Sequence, residues 1–195
     1  MISSIDITVI ANDELAVTVA PALGGRMIEL VDLQSGRRWL WRNHRVSLGS
    51  TPSGASYDDV WQGGLEKVDH EFGNLLSTTD EQPWSTEVGL PFCLHRSSRS
   101  NEFVYVSGLP EGWCEITDTK AGSWVRIDYP TVVFPHCLIF MTYGGWRERN
   151  MVVLEPCTNH PKDLEQAISN GTAAVLAPGT SREFEVTVSV GSANE

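Results

Sequence analysis

The sequence predicts an all-β sandwich of antiparallel strands with one short helix near the C-terminus. Three observations point there. Apolar residues recur with period two in several short runs, as in Phe184, Val186, Val188 and Val190 alternating with Glu185, Thr187 and Ser189, and that spacing puts alternate side chains on opposite faces of a strand. Turn residues punctuate the chain at short intervals, as an all-β chain requires. Only one segment carries helix signals. No repeat or linker interrupts the pattern, so 195 residues read as a single domain over 1–195, long enough for a substantial core.

Each element follows from its residues. Ile5, Ile7 and Val9 alternate with Asp6 and Thr8, a half-buried strand. Asn12-Asp13 turns the chain into Leu15, Val17 and Val19, completing a hairpin. Gly24-Gly25 permits backbone conformations other residues resist, or a close approach of the chain to a neighbour. Residues 26–32 and Trp39-Leu40-Trp41 read as strands, with Gln34-Ser35-Gly36 as the turn between them. Residues 43–60 are a long loop of small and polar residues. A strand is expected at 84–88, a solvated hairpin tip at 95–101, and strands at 103–106, 113–118 and 123–133. Cys137 to Tyr143 is apolar throughout and so buried on both faces, and Gly144-Gly145-Trp146 returns it to Met151-Val152-Val153-Leu154-Glu155. These two are expected as antiparallel neighbours at a sheet centre, with pairing weakened at Pro156, which lacks an N–H. The helix runs from about 161 to 169, with Thr158 or Asn159 near its start, Leu164, Ala167 and Ile168 on one face, and Gly171 past its end.

Charge and cysteine usage exclude several functions. Acids exceed bases by 25 to 14, a formal charge of −11, which opposes binding to nucleic acid or an anionic membrane surface. No apolar run has the length of a membrane helix, and the first residues lack the basic start and apolar core of a signal peptide, so a cytoplasmic protein is expected. Cys93, Cys114, Cys137 and Cys157 form no C-x-x-C pair and read as reduced, buried thiols. Cys157 and His160 have a ligand-like gap, but no second pair matches it, so no metal site and no cofactor are expected.

The residue that draws most attention is Glu155. It ends a run of four apolar residues, and an acid there must be paired, protonated or used. Tyr57-Asp58-Asp59-Val60-Trp61-Gln62-Gly63-Gly64 mixes aromatic, acidic and glycine residues, and Trp61 is either core or a stacking platform for a ligand. Arg37, Arg38, Arg42 and Arg45 could receive a phosphate, although a solvated strand edge explains them as well.

Three segments together resemble one family. Leu23-Gly24-Gly25-Arg26 followed by Leu33-Gln34-Ser35-Gly36-Arg37-Arg38-Trp39-Leu40-Trp41, then the segment 57–64, then Leu154-Glu155-Pro156-Cys157-Thr158-Asn159-His160-Pro161 with a short helix, Ala177-Pro178-Gly179 and a last strand, resemble galactose mutarotase-like (aldose 1-epimerase) proteins in order and spacing. The resemblance implies a β-supersandwich with a sugar cleft, Glu155 at the position of the catalytic base, and Arg26, Asp59, Trp61 and His70 as substrate-binding residues. In that chemistry a base takes the proton of the anomeric hydroxyl while an acid protonates the ring oxygen, and the ring opens and recloses. The chain is shorter than the family through its middle. Where the family carries a further histidine, this chain reads Ser77-Thr78-Thr79-Asp80-Glu81-Gln82-Pro83-Trp84. His70, His136 and His160 remain as candidate acids, and His136, at the entry to the buried strand, is the best placed. Three functions follow as expectations: a sugar epimerase using Glu155 and His136, a sugar-binding protein without catalysis, or a structural module that forms a homodimer through an exposed sheet edge.

Overall fold

The computed structural model describes residues 5–64, 96–118, 120–160 and 163–192. Among these, nine strands form three antiparallel sheets of three strands each. Although no composition shift marks a boundary, the chain divides into two compact units, Met1–His70 and Glu71–Glu195. The expected strand at 84–88, together with His70, Cys93 and His95, lies outside the described residues.

In the first unit β1 (Thr8–Ala11), β2 (Leu15–Ala20) and β3 (Arg26–Asp32) form a meander in that order. The first hairpin turns where expected. The Asn12 carboxamide oxygen accepts the N–H groups of Glu14 and Leu15 at 2.9 and 2.7 Å, and the Asn12 N–H donates to the Leu15 carbonyl at 3.0 Å, which together close the turn. β1 is exposed at all four positions rather than half-buried, with Val9 and Ile10 among the exposed large apolar residues. Among the described residues it is the edge of its sheet, and its alternation encodes the pleat, not burial of one face. Gly24 and Gly25 have φ of 72° and 71°, and a Cβ on either would meet nothing within 4 Å. They serve a left-handed turn, not a close approach.

The close approach occurs at the other glycine pair. A Cβ on Gly63 would stand 2.4 Å from the Trp41 carbonyl oxygen, and one on Gly64 would stand 2.5 Å from that of Met27. Trp39-Leu40-Trp41 is not a strand. Only isolated bridges form beside it, Val31 with Arg38 and Arg42 with Gly63. A few backbone bonds join the segments, the Asn43 N–H to the Gln62 carbonyl and the Gly64 N–H to the Trp41 carbonyl, both at 2.9 Å, and side chains add to them. Asn43 donates its carboxamide N–H to the Trp61 carbonyl at 2.8 Å, and the Gln62 carboxamide exchanges two hydrogen bonds with the Gly49 backbone. The loop over 43–60 also contains a single helical turn with no sequence signal, α1 (Tyr57–Val60).

In the second unit β4 (Ser100–Ser107), β7 (His136–Tyr143) and β8 (Asn150–Cys157) form one sheet in the order β4-β7-β8. β5 (Trp113–Asp118), β6 (Ser123–Asp128) and β9 (Thr187–Ser192) form another in the order β5-β6-β9. Register decides which residues meet. Val106, Cys137 and Pro156 lie in one row across the first sheet, and Cys114, Ile127 and Val188 in one row across the second. Cys114, Ile127, Tyr129 and Cys137 form a single buried cluster, with Val106, Phe134, Ile139, Leu154 and Val188 packed against it. The two sheets therefore share an apolar core, as in a β-sandwich.

β7 is buried on both faces as expected, with Cys137, Leu138, Met141, Thr142 and Tyr143 all nearly inaccessible. β8 differs from expectation. It is the edge of its sheet among the described residues, half-buried over most of its length, and it continues through Pro156 to Cys157. An edge is where a strand tolerates a proline, because one row of N–H groups has no ladder partner to lose. The strand expected over 123–133 stops at Asp128, because the Pro130 carbonyl accepts the N–H groups of Val133 and Phe134 in a turn. β9 begins at Thr187 rather than Phe184. Phe184 instead sets its ring edge-on against Phe134 at 4.9 Å. The helix is α2 (Leu164–Ser169), capped by the Asp163 carboxylate, which accepts the Gln166 N–H at 2.8 Å. Gly171 follows it with φ 77°. Only Ala167 of its apolar residues is buried; Leu164 and Ile168 are exposed.

Candidate functional site

Strand alternation assigns Glu155 a face. Its neighbour Leu154 packs into the core between the two sheets, so Glu155 belongs to the opposite, outer face of the β4-β7-β8 sheet. The register pairs Leu138 with Glu155, His136 with Cys157, Tyr105 with Leu138 and Ser107 with His136. Ser107, Tyr105, His136 and Glu155 therefore share one face, and His136 is the diagonal neighbour of Glu155 on the adjoining strand. The two residues assigned to acid–base work in the sequence thus lie on the same face of the same sheet.

His136 is half-buried, and its Nδ1 lies 2.8 Å from the Ser107 hydroxyl. Burial pushes its pKa below the usual histidine value of 6.5, and the neighbouring His160 pushes it the same way. The ring is therefore neutral at pH 7. A Ser107 hydroxyl that donates to Nδ1 puts the proton of the neutral ring on Nε2, and one that accepts from Nδ1 leaves Nε2 as the acceptor. The His160 ring lies 5.5 Å from His136 and meets Tyr105 edge-on at 4.7 Å. Its backbone is clamped by the segment that follows α2. The His160 N–H donates to the Thr172 hydroxyl oxygen at 3.2 Å, and its carbonyl accepts from the Thr172 hydroxyl and from the Asn170 carboxamide. The helix thus acts as a spacer that returns the chain to fix a histidine beyond the end of β8.

Aromatic rings continue along this face. Phe103 lies 5.2 Å from Tyr105 and 5.7 Å from Phe140, and Phe140 lies 5.7 Å from Trp146. Cys157, at the His136 end of the sheet, has its thiol pKa pushed up to about 12 by burial, so it is protonated at neutral pH. Among the described residues no group of three or more His, Cys, Asp or Glu side chains could hold a metal ion.

The other candidates belong to the first unit, and His70 lies outside the described residues. Arg26 opens β3. Asp59 is exposed on α1. Trp61 is 9% exposed and stacks on Trp41 with ring centroids 5.2 Å apart, so one ring face is taken within the unit. Of the arginines, Arg38 pairs with Glu29, and Arg37 lies over the Trp39 ring at 4.2 Å. Both are engaged by neighbours along the strand and its turn, not gathered towards a common point.

Comparison of the chain with protein-family models, with curated proteins and with solved structures gave no match. The sequence reading missed Ser107, Tyr105, Asn170 and Thr172. Ser107 and Tyr105 were legible only through the β4–β7 register, which no local pattern encodes. Asn170 and Thr172 follow the helix closely enough that a return contact to its entry was a readable signal.

Proposed function

We propose that the chain is a carbohydrate-binding protein of the aldose 1-epimerase type, acting on a small-molecule sugar at the outer face of the β4-β7-β8 sheet. Glu155 is its general base and His136 the hydrogen-bond donor to the sugar ring. The observation that carries this reading is the register that sets a carboxylate and an imidazole as diagonal neighbours on one face. Interconversion of anomers needs this pair of functions, a proton acceptor at the anomeric hydroxyl and a donor at the ring oxygen. Arg26, Asp59, Trp61 and His70 enter as sugar-binding residues through the family resemblance alone. The reading includes no cofactor, a cytoplasmic setting and, through the fully exposed edge strand β1, a homodimer. Sedimentation that finds a monomer removes the last of these.

One observation favours a second reading, sugar binding without catalysis. A neutral imidazole is a weak proton donor, and the depressed pKa of His136 leaves less of the ring protonated at pH 7 than in a histidine at its ordinary value. Polarimetry of freshly dissolved α-glucose and α-galactose separates the two. Under the catalytic reading the wild type accelerates mutarotation, and both Glu155→Gln and His136→Gln abolish most of the acceleration. If the wild type has no effect at high concentration, catalysis is refuted. Binding then stands or falls on a calorimetric titration with the same sugars.

A further inference from the structure

The two buried cysteines between the sheets have no part in the site above. Cys114 is on β5 and Cys137 on β7, 7% and 1% exposed, in one cluster with Ile127 and Tyr129. Register puts each in a core-facing row of its own sheet, Cys114 beside Ile127 and Cys137 beside Val106. Both are free thiols. Cys157 is a near neighbour in the same sheet, but it pairs with His136 and so faces away from this core.

We propose that Cys114 and Cys137 form a redox-sensitive staple, closing to an inter-sheet disulfide when the protein meets a small peroxide. The two cysteines belong to one buried cluster between the facing sheets, Cys114 from β5 and Cys137 from β7, and the Cys137 thiol donates to the Leu138 carbonyl at 3.7 Å. The neighbouring Cys114 thiol holds the Cys137 pKa below the usual thiol range, while Cys137 and burial push the Cys114 pKa up. Cys137 is therefore the sulfur that reacts first. Its thiolate attacks one peroxide oxygen, breaking the O–O bond to give a sulfenic acid and hydroxide. The Cys114 sulfur then attacks the sulfenic sulfur and its proton leaves with the departing hydroxyl as water. Two thiols and one hydrogen peroxide give one disulfide and two waters, with two electrons passing from sulfur to oxygen. A water-sized oxidant is required, because a core thiol pair admits no larger disulfide reagent.

The sequence makes the test clean, because trypsin leaves the four cysteines in separate peptides, 68–96, 100–120, 127–147 and 150–162. The full chain is treated with hydrogen peroxide, alkylated and digested without reduction. The expected product is a cross-linked pair of 100–120 with 127–147, lighter by two hydrogens than the sum of the separate peptides and abolished by reductant. The oxidised protein should also melt about 5–10 °C higher, because the bond ties the unfolded chain into a loop. Cys157→Ala should leave the link intact. Four separately alkylated peptides after prolonged oxidation, independent oxidation of each thiol without a link, or a link from Cys137 to Cys157 or Cys93 would each overturn the proposal. No sugar enters the experiment, so the staple and the sugar chemistry stand or fall separately.

Discussion

At the scale of single residues, His136 makes a measurable prediction. Its imidazole is kept neutral by burial and by His160, so its pKa in the folded protein lies below its value in the unfolded chain. The unfolded chain then binds a proton more readily, and folding stability is lost as the pH falls below about 6.5. Thermal melts at pH 8 and pH 5 should show a larger drop for the wild type than for His136→Gln. Equal drops would show that the acid sensitivity is not set by His136. The choice of Glu155 and His136 was legible in the sequence because each sits at the end of an apolar run, where an ionisable group is conspicuous. Their common face was not legible. It depends on strand pairing across a turn with no register signal of its own.

The hairpin β7–β8 shows at the element scale how much a turn can hide. The sequence points to Gly144-Gly145-Trp146 as the return, but the tight turn is one step later. The Arg149 N–H donates to the Trp146 carbonyl at 3.0 Å, and the two central residues, Arg147 and Glu148, have φ of 49° and 57°. Two positive φ values define a type I′ turn, the form that matches the twist of a hairpin and favours Asn-Gly. Neither arginine nor glutamate is suited to that region, so nothing in their identity announced the turn. Giving the turn its preferred Asn-Gly pair through the double substitution Arg147→Asn with Glu148→Gly should stabilise the fold by about 1–2 kcal/mol. Chemical denaturation measures this directly, and a loss of stability would mean that the two side chains make contacts worth more than the backbone strain. Helix α2 was legible for the converse reason, since its glycine stop is local; its cap at Asp163 displaced the expected Thr158 or Asn159 because β8 runs further than the proline suggested.

Viewed across the whole molecule, the all-β architecture was legible from alternation alone, while the division into two compact units was not. Alternation reports which residues pleat, and it is silent on which sheets share a core. That is why β1, whose pattern is as regular as that of β9, is exposed while β9 contributes Val188 to the sandwich interior. The same distinction governs folding kinetics. β7 and β8 pair across a short turn, whereas β6 and β9 pair across about sixty residues, a contact that demands a large loop closure. Val188→Ala should cost about 1–3 kcal/mol, expressed chiefly as faster unfolding with little change in the folding rate. A folding rate slowed by the full amount would place β9 in the transition state instead.

The late partner of β6 has a consequence during synthesis. β5 and β6 leave the ribosome well before β9, and at ordinary elongation rates of about 5–20 residues per second the intervening stretch takes about 3–12 s to emerge. Throughout that interval the β6 edge that β9 will occupy, with Ile127 and Val125 beside it, is an open template on a nascent chain. Val125 and Ile127 alternate there with Trp124, Arg126 and Asp128, and the Arg126–Asp128 ion pair, with the guanidinium 4.5 Å from the Trp113 ring centroid, is already complete within β5 and β6. Charge on the waiting edge is thus in place before its proper neighbour arrives, a gatekeeper against pairing with another emerging chain.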